Sequence, residues 1–270
     1  MILAHGFPEL AYSWRHQIPA LAEAGYRVLV PDQRGYGGSS RPEAIEDYDI
    51  HALSGDLIGL LDEAGAQRAV FIGHDWGALL VWQTALLHPD RVAAVAGLSV
   101  PPIPRARSTP TQRWREKFGP DFYMLYYQEP GVADAAMAAD TEATMRALFT
   151  GVADPTAPLP DWISADEFAH YVREFSRTGF TGALNWYRNY DRNWASTSHL
   201  ADARITAPAL FVGGTADPIK NTMRPERARE VATGPYREVL IDGAGHWIQQ
   251  ERPDEVNAEL LSFLSGLEYQ

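Results

Sequence analysis

Short apolar runs alternate along this chain with stretches whose hydrophobic positions recur at helical spacing. The runs Met1 to Ala4, Arg27 to Val30, Ala69 to Gly73, Val92 to Leu98, Ala209 to Gly213 and Arg237 to Ile241 are the pattern of parallel strands covered on both faces. Between them, Trp14 to Ala24, Ile50 to Ala64, Ala78 to Leu87, Pro225 to Val231 and Pro253 to Leu264 read as helices. The last opens with proline in its first turn and places Asp254 and Glu255 where the helix dipole favours negative charge. Regular alternation of strand and helix predicts an α/β fold, a mostly parallel sheet flanked by helices.

The rhythm breaks in one place. From Pro101 to about Leu200 the chain is rich in Trp, Tyr, Phe and Arg, opens with Pro101-Pro102-Ile103-Pro104, and has helical rather than strand periodicity. Residues 101–200 therefore read as an inserted helical cap, and residues 1–100 and 201–270 as the core. Inside the cap, Asp154 to Pro160 is expected to be a loop, because its prolines remove donors and restrict the residues before them.

A length of 270 residues with 46% hydrophobic content suits one α/β domain plus an insertion. The net charge of −12, without a basic run, argues against a nucleic-acid partner. The sequence has no cysteine, so disulfides and thiolate metal sites are excluded. No apolar run approaches the ~20 residues of a membrane helix, and no secretory leader pattern is present. The expectation is a cytoplasmic protein that binds neither membrane nor nucleic acid and needs no metal or organic cofactor. Association into homo-oligomers is left open.

The candidate chemistry centres on Gly73-His74-Asp75-Trp76-Gly77 after an apolar strand. Gly-x-nucleophile-x-Gly is a strand-to-helix elbow that lifts its middle residue above the sheet. A carboxylate there is already anionic at neutral pH and can attack an sp3 carbon, leaving an alkyl ester. That suits epoxides or alkyl halides. In isolation Asp75 would equally suit a turn or a helix N-cap; partners in the chain order nucleophile, acid, histidine decide for the nucleophile.

Asp217, in Gly213-Gly214-Thr215-Ala216-Asp217-Pro218, and His246, in Asp242-Gly243-Ala244-Gly245-His246-Trp247, both follow strands. His246 can take a proton from water while Asp217 fixes its tautomer. The backbone N–H groups of Phe7, in His5-Gly6-Phe7-Pro8-Glu9, and of Trp76 are the candidate oxyanion hole. Phe7, Trp76 and Trp247 stand beside these loops, and with Tyr127 and Ile219 they are the expected lining of an apolar substrate pocket. His5 and His74 read as structural. The Gly35 to Ser40 stretch lacks the spacing of a phosphate loop, and the arginines from Arg105 to Arg115 read as a solvated face.

Together, His-Gly-Phe-Pro-Glu at 5 to 9, Asp-Gln-Arg-Gly-Tyr-Gly at 32 to 37, Gly-His-Asp-Trp-Gly at 73 to 77 and Gly-His-Trp at 245 to 247 resemble the α/β-hydrolase-fold epoxide hydrolases of the soluble type. The cap segments Phe122 to Gly131 and Leu184-Asn185-Trp186-Tyr187-Arg188-Asn189 are similar to those that supply the family's ring-opening tyrosines. By that match the tyrosines are Tyr123 and Tyr187; spacing alone leaves Tyr126 and Tyr127 as rivals to Tyr123. The resemblance implies the α/β-hydrolase fold with a cap and conversion of an apolar epoxide to a vicinal diol without a cofactor. It also implies an N-terminal extension of two strands, so the start at Met1 suggests a truncated or misplaced beginning. A haloalkane dehalogenase shares the Asp nucleophile, but such enzymes place Asn where this chain has Phe7. A non-catalytic ligand-binding protein on the same fold is the alternative from another class.

Overall fold

In the computed structural model, which describes residues 1–223 and 225–267, five strands form one parallel sheet: β1 (Ile2–Ala4), β2 (Ala69–His74), β3 (Val92–Leu98), β4 (Ala209–Gly214) and β5 (Tyr236–Ile241). Strands neighbour in sequence order, with Leu3 opposite Ile72, Ile72 opposite Ala96, and Ala96 opposite Leu210. Residues of β1, β2 and β4 are buried throughout, as their unbroken apolar runs require. The edge strand β5 is only partly covered.

The expected strand at Arg27 to Val30 does not form. Leu29 forms an isolated bridge, through Leu29 N–H to Met1 O and Leu3 N–H to Leu29 O, both 2.9 Å. The three-residue β1 offers little ladder to extend, and Pro31 has no N–H to add. The expected helix Trp14 to Ala24 divides into a 3-10 turn, Ala11–Trp14, and a helix, Gln17–Glu23. Beginning at Gln17 leaves Pro19 in the first turn, where its missing donor costs nothing. Helix Trp76–Leu87 starts two residues before the expected Ala78, and Pro225–Glu230 is a 3-10 helix rather than an α-helix.

The chain divides into two compact units. The first comprises Met1–Pro31, Leu53–Pro104 and His199–Gln270 and contains the sheet. On one sheet face Leu3, Ile72, Ala96, Leu98, Leu210 and Val212 pack with Trp14, Leu21, Ile248, Val256, Leu260 and Leu264. In helix Pro253–Ser265, Val256, Leu260 and Leu264 recur every four residues, the spacing that puts one apolar stripe on the core.

The second unit comprises Asp32–Ala52 and Arg105–Ser198. Its helix Ala165–Thr178 is fixed by a Ser164–Glu167 capping box and buries Phe168, Tyr171 and Phe175. Division by compactness differs from division by sequence at Asp32–Ala52. That segment is held by bonds from Trp186 Nε1 to Arg34 O (3.0 Å), Arg177 to Gly37 O (2.9 Å) and Asn189 Nδ2 to Ile45 O (2.6 Å). Residues 154–160 are irregular, with Thr156 N–H bonded to Asp154 Oδ1 at 2.8 Å.

Candidate active site

The strand β2 ends in a backbone that few side chains adopt: Asp75 has φ 51° and ψ −117°. Glycine is required on both sides of it by close approach. A Cβ at Gly73 would lie 2.1 Å from Gly77 O, and one at Gly77 would lie 2.0 Å from Ala4 O. Asp75 N–H reaches Leu98 O at 3.3 Å and Asp75 O accepts from Leu79 N–H at 3.1 Å, so neighbouring structure sustains the strained conformation. The carboxylate makes no capping bond to its own helix and is left for other partners.

Those partners arrive from loops at the carboxyl ends of the other strands, where open α/β sheets assemble their sites. Phe7 N–H, after β1, donates to Asp75 Oδ1 at 2.8 Å. His246 Nε2, after β5, lies 3.6 Å from Asp75 Oδ2, and its Nδ1 lies 3.1 Å from Asp217 Oδ2, after β4. Asp217 Oδ1 accepts from Ile219 N–H at 2.9 Å. Burial by itself would raise the Asp217 carboxyl, but the bond and charge of His246 outweigh it, aided by Ile219 N–H and Ser99, and hold it below the ordinary range. Burial would likewise lower His246; bonds and charge from Asp217 and Asp75 prevail and push it up to about 10. Trp76 is the first residue of its helix, where N–H groups point out of the helix end.

Beneath these three residues lies a polar network that the sequence reading passed over. Glu9 is fully buried. Its Oε2 accepts from Gly6 N–H (3.0 Å) and His74 Nδ1 (2.6 Å), and its Oε1 from the amides of Gln249 (2.7 Å) and Gln250 (3.0 Å). His74 Nε2 lies 2.7 Å from His246 O, so the two ring nitrogens of His74 link the Glu9 carboxylate to the backbone of the His246 loop. Ser99 Oγ donates to the same carbonyl at 2.6 Å from a backbone with φ 65°. Glu251 receives Gly245 N–H (2.6 Å) and Trp247 N–H (2.8 Å), so the residues on both sides of His246 are tethered. Only the elbow motif pointed to His74 and only the oxyanion motif to Glu9; nothing in the sequence singled out Ser99.

Of the expected pocket residues in this unit, Phe7, Trp76 and Trp247 are buried. The Trp247 ring lies 4.8 Å from that of His246. Ile219 is in the wall of a cavity of about 150 Å³ beside Asp217, with Ser99, Phe211 and Leu240. Among the described residues no group of three or more His, Asp or Glu could hold a metal ion, and no helix is long and apolar enough to cross a membrane.

In the second unit, the expected tyrosines form an edge-to-face series: Tyr123 to Tyr127 at 5.4 Å and Tyr127 to Tyr187 at 5.1 Å between ring centres. Tyr187 is buried, whereas Tyr123 and Tyr126 are 45% and 44% exposed. Tyr127 is buried between the two candidates, and burial, with the neighbouring Tyr126, pushes its phenol up to about 12. That makes it a poorer proton donor than an ordinary tyrosine.

Residues 1–253 match the family model described as the alpha/beta hydrolase fold. The chain is 61% identical over 292 residues to Epoxide hydrolase A of Mycobacterium tuberculosis (strain ATCC 25618 / H37Rv), covering 99% of this chain and 91% of that protein. The crystal structure of Epoxide Hydrolase A from Mycobacterium thermoresistibile superimposes with a TM-score of 0.97 at 63% identity, covering 100% of this chain and 92% of the other. An epoxide hydrolase from an endophytic Streptomyces gives a TM-score of 0.94 at 40% identity, covering 98% and 88%. With these similarities spanning the elbow, the acid and histidine loops and the cap segments alike, the chain belongs to the epoxide hydrolases of the alpha/beta hydrolase fold family.

Proposed function

We infer that this protein opens an apolar organic epoxide with Asp75 and hydrolyses the resulting ester to a vicinal diol. The observation that carries the reading is the carboxylate on the strained elbow, with Oδ1 held by Phe7 N–H at 2.8 Å and Oδ2 turned toward His246 at 3.6 Å. Oδ2 is the nucleophile: it forms a bond to one ring carbon as the C–O bond there breaks. The electron pair leaves on the epoxide oxygen, which Tyr123 and Tyr187 of the cap bind and protonate. Tyr187 is the buried member of the pair and Tyr123 the exposed one.

Alkylation turns Asp75 into a neutral ester. His246 then loses one of the two anions that raise its affinity for a proton and gives its proton through solvent to the phenolate left by ring opening; the neutral imidazole next takes a proton from water as that water attacks the ester carbonyl. The carbonyl oxygen is Oδ1, already seated on Phe7 N–H. Phe7 N–H and Trp76 N–H stabilise the tetrahedral oxyanion; loss of one such donor typically costs about 3–4 kcal/mol. Asp217 stabilises the imidazolium; collapse of the intermediate breaks the bond between Asp75 Cγ and Oδ2, the departing alkoxide takes the proton left on the incoming oxygen, and the diol leaves with Asp75 again a carboxylate. Phe7, Trp76, Trp247, Ile219 and Tyr127 supply apolar walls.

The test is a single turnover in water enriched in heavy oxygen. The first diol released should carry an unlabelled oxygen from Asp75, and Asp75 should acquire the label. Diol labelled from solvent in the first turnover would refute an enzyme ester.

A further inference from the structure

The phenols proposed to open the ring sit on two segments far apart in sequence. Tyr123 begins a helix of a single turn, Tyr123–Tyr126, and Tyr187 lies near the end of helix Thr181–Arg188. A one-turn helix does not hold itself together in water, because nucleation fixes more dihedrals than its hydrogen bonds repay. Its position must be set from outside.

Two polar side chains do this. Gln128 Nε2 donates to Met124 O at 2.8 Å, within the Tyr123 segment, and to Tyr187 O at 3.1 Å. From the other side, Arg188 Nε donates to Tyr127 O at 3.2 Å and Nη2 to Glu129 O at 3.3 Å. Its Nη1 donates to Asn185 Oδ1 at 2.9 Å and to Asp134 Oδ1 at 3.1 Å, while Nη2 also binds Asp134 Oδ2. The five guanidinium N–H groups thus have five acceptors, on a side chain only 3% exposed. Asp134 also accepts from Gly131 N–H at 3.0 Å, so the turn after Glu129 is held in the same fork.

We propose that Arg188 and Gln128 are positioning residues for ring opening: they lock the two tyrosine-bearing segments in one register so that Tyr123 and Tyr187 meet the epoxide oxygen as a pair. The inference rests on the reading that these tyrosines bind that oxygen. A buried ion pair adds little stability over apolar packing of the same volume. What the planar fork supplies is direction, since it fixes carbonyls on one segment and a carboxylate on another at once, which an ammonium cannot do. Ring opening needs that precision, because a misplacement of about 1 Å costs on the order of 100-fold in rate.

The experiment uses the full chain and separates the two chemical steps by rapid quench and intact mass, following ester formation and ester decay in Arg188→Lys, Gln128→Leu and Tyr187→Phe. Arg188→Lys and Gln128→Leu should each slow ester formation by about 10- to 100-fold and leave ester decay within about twofold, because decay uses His246 and Asp217. The loss should shrink for epoxides whose opened alkoxide is weakly basic, since these need less help from a phenol. Should Arg188→Lys fail to fold, the pair Arg188→Met with Asp134→Leu removes the fork without stranding a buried charge, and the same slowing is expected. Normal ester formation in the folded variants, with Tyr187→Phe slowed, would overturn the brace and spare the tyrosines. Normal ester formation in Tyr187→Phe itself would overturn both. Equal slowing of the two steps would mark general structural damage and also overturn the brace.

Discussion

Replacing Glu9 by glutamine tests whether the buried network holds the His246 loop. All four partners of the carboxylate donate to it. A glutamine has one acceptor oxygen, and its NH2 would replace the Oε2 that accepts from Gly6 N–H and His74 Nδ1, leaving buried donors unmatched at a cost of about 1–3 kcal/mol each. The carboxylate's own contribution points to a similar size. Burial raises its carboxyl, but the charge and bond of His74 and the bond from Gly6 N–H outweigh that and bring it from 4.5 down to about 2. A drop of that extent is worth roughly 3 kcal/mol of folding stability at neutral pH. Because the folded value is depressed, this stabilisation is present above about pH 4.5 and is lost as pH falls toward 2. Urea unfolding at pH 7 should show Glu9→Gln less stable by roughly 3 kcal/mol, about 6–12 °C in melting temperature. The gap should narrow steadily toward pH 3. A loss below about 1 kcal/mol, or a gap that acid does not narrow, would refute the reasoning.

Asp217→Asn removes the larger support for the raised affinity of His246. The rise of ester decay with pH should therefore move to lower pH, while the plateau falls by about 10⁴; single-turnover decay across pH checks this, and an unmoved limb contradicts it. His246→Gln should still form the ester but release it slowly, so intact mass should find protein carrying one substrate mass; unmodified protein with normal turnover removes His246 from the mechanism. Gly77→Ala drives a methyl group to 2.0 Å from Ala4 O and should cost roughly 3 kcal/mol or more, read by urea unfolding; a neutral effect would mean that the elbow is not close-packed. Assayed on matched epoxide and haloalkane substrates, the enzyme should yield diol and no halide, and halide release at a comparable rate would favour a dehalogenase.

The sequence by itself determined the strands at Ala69 to Gly73, Val92 to Leu98 and Ala209 to Gly213, two of which run one residue further in the fold, and the elbow at Asp75, because unbroken apolar runs and paired glycines are local signals with few structural solutions. That Asp75, Asp217 and His246 would come together was legible too, since each residue stands just after a strand. Arg27 to Val30 was misleading for a nonlocal reason: an apolar run becomes a strand only where a neighbour offers a ladder, and β1 offers one bridge. Tertiary structure alone decided the support of the site. Glu9, His74 and Gln249 span 240 positions and meet only once the sheet stacks its loops at one end. Arg188 and Gln128 acquire a shared task only when two distant segments lie side by side. A buried polar group takes its meaning from partners that satisfy it, and those partners are fixed by the fold rather than by spacing along the chain.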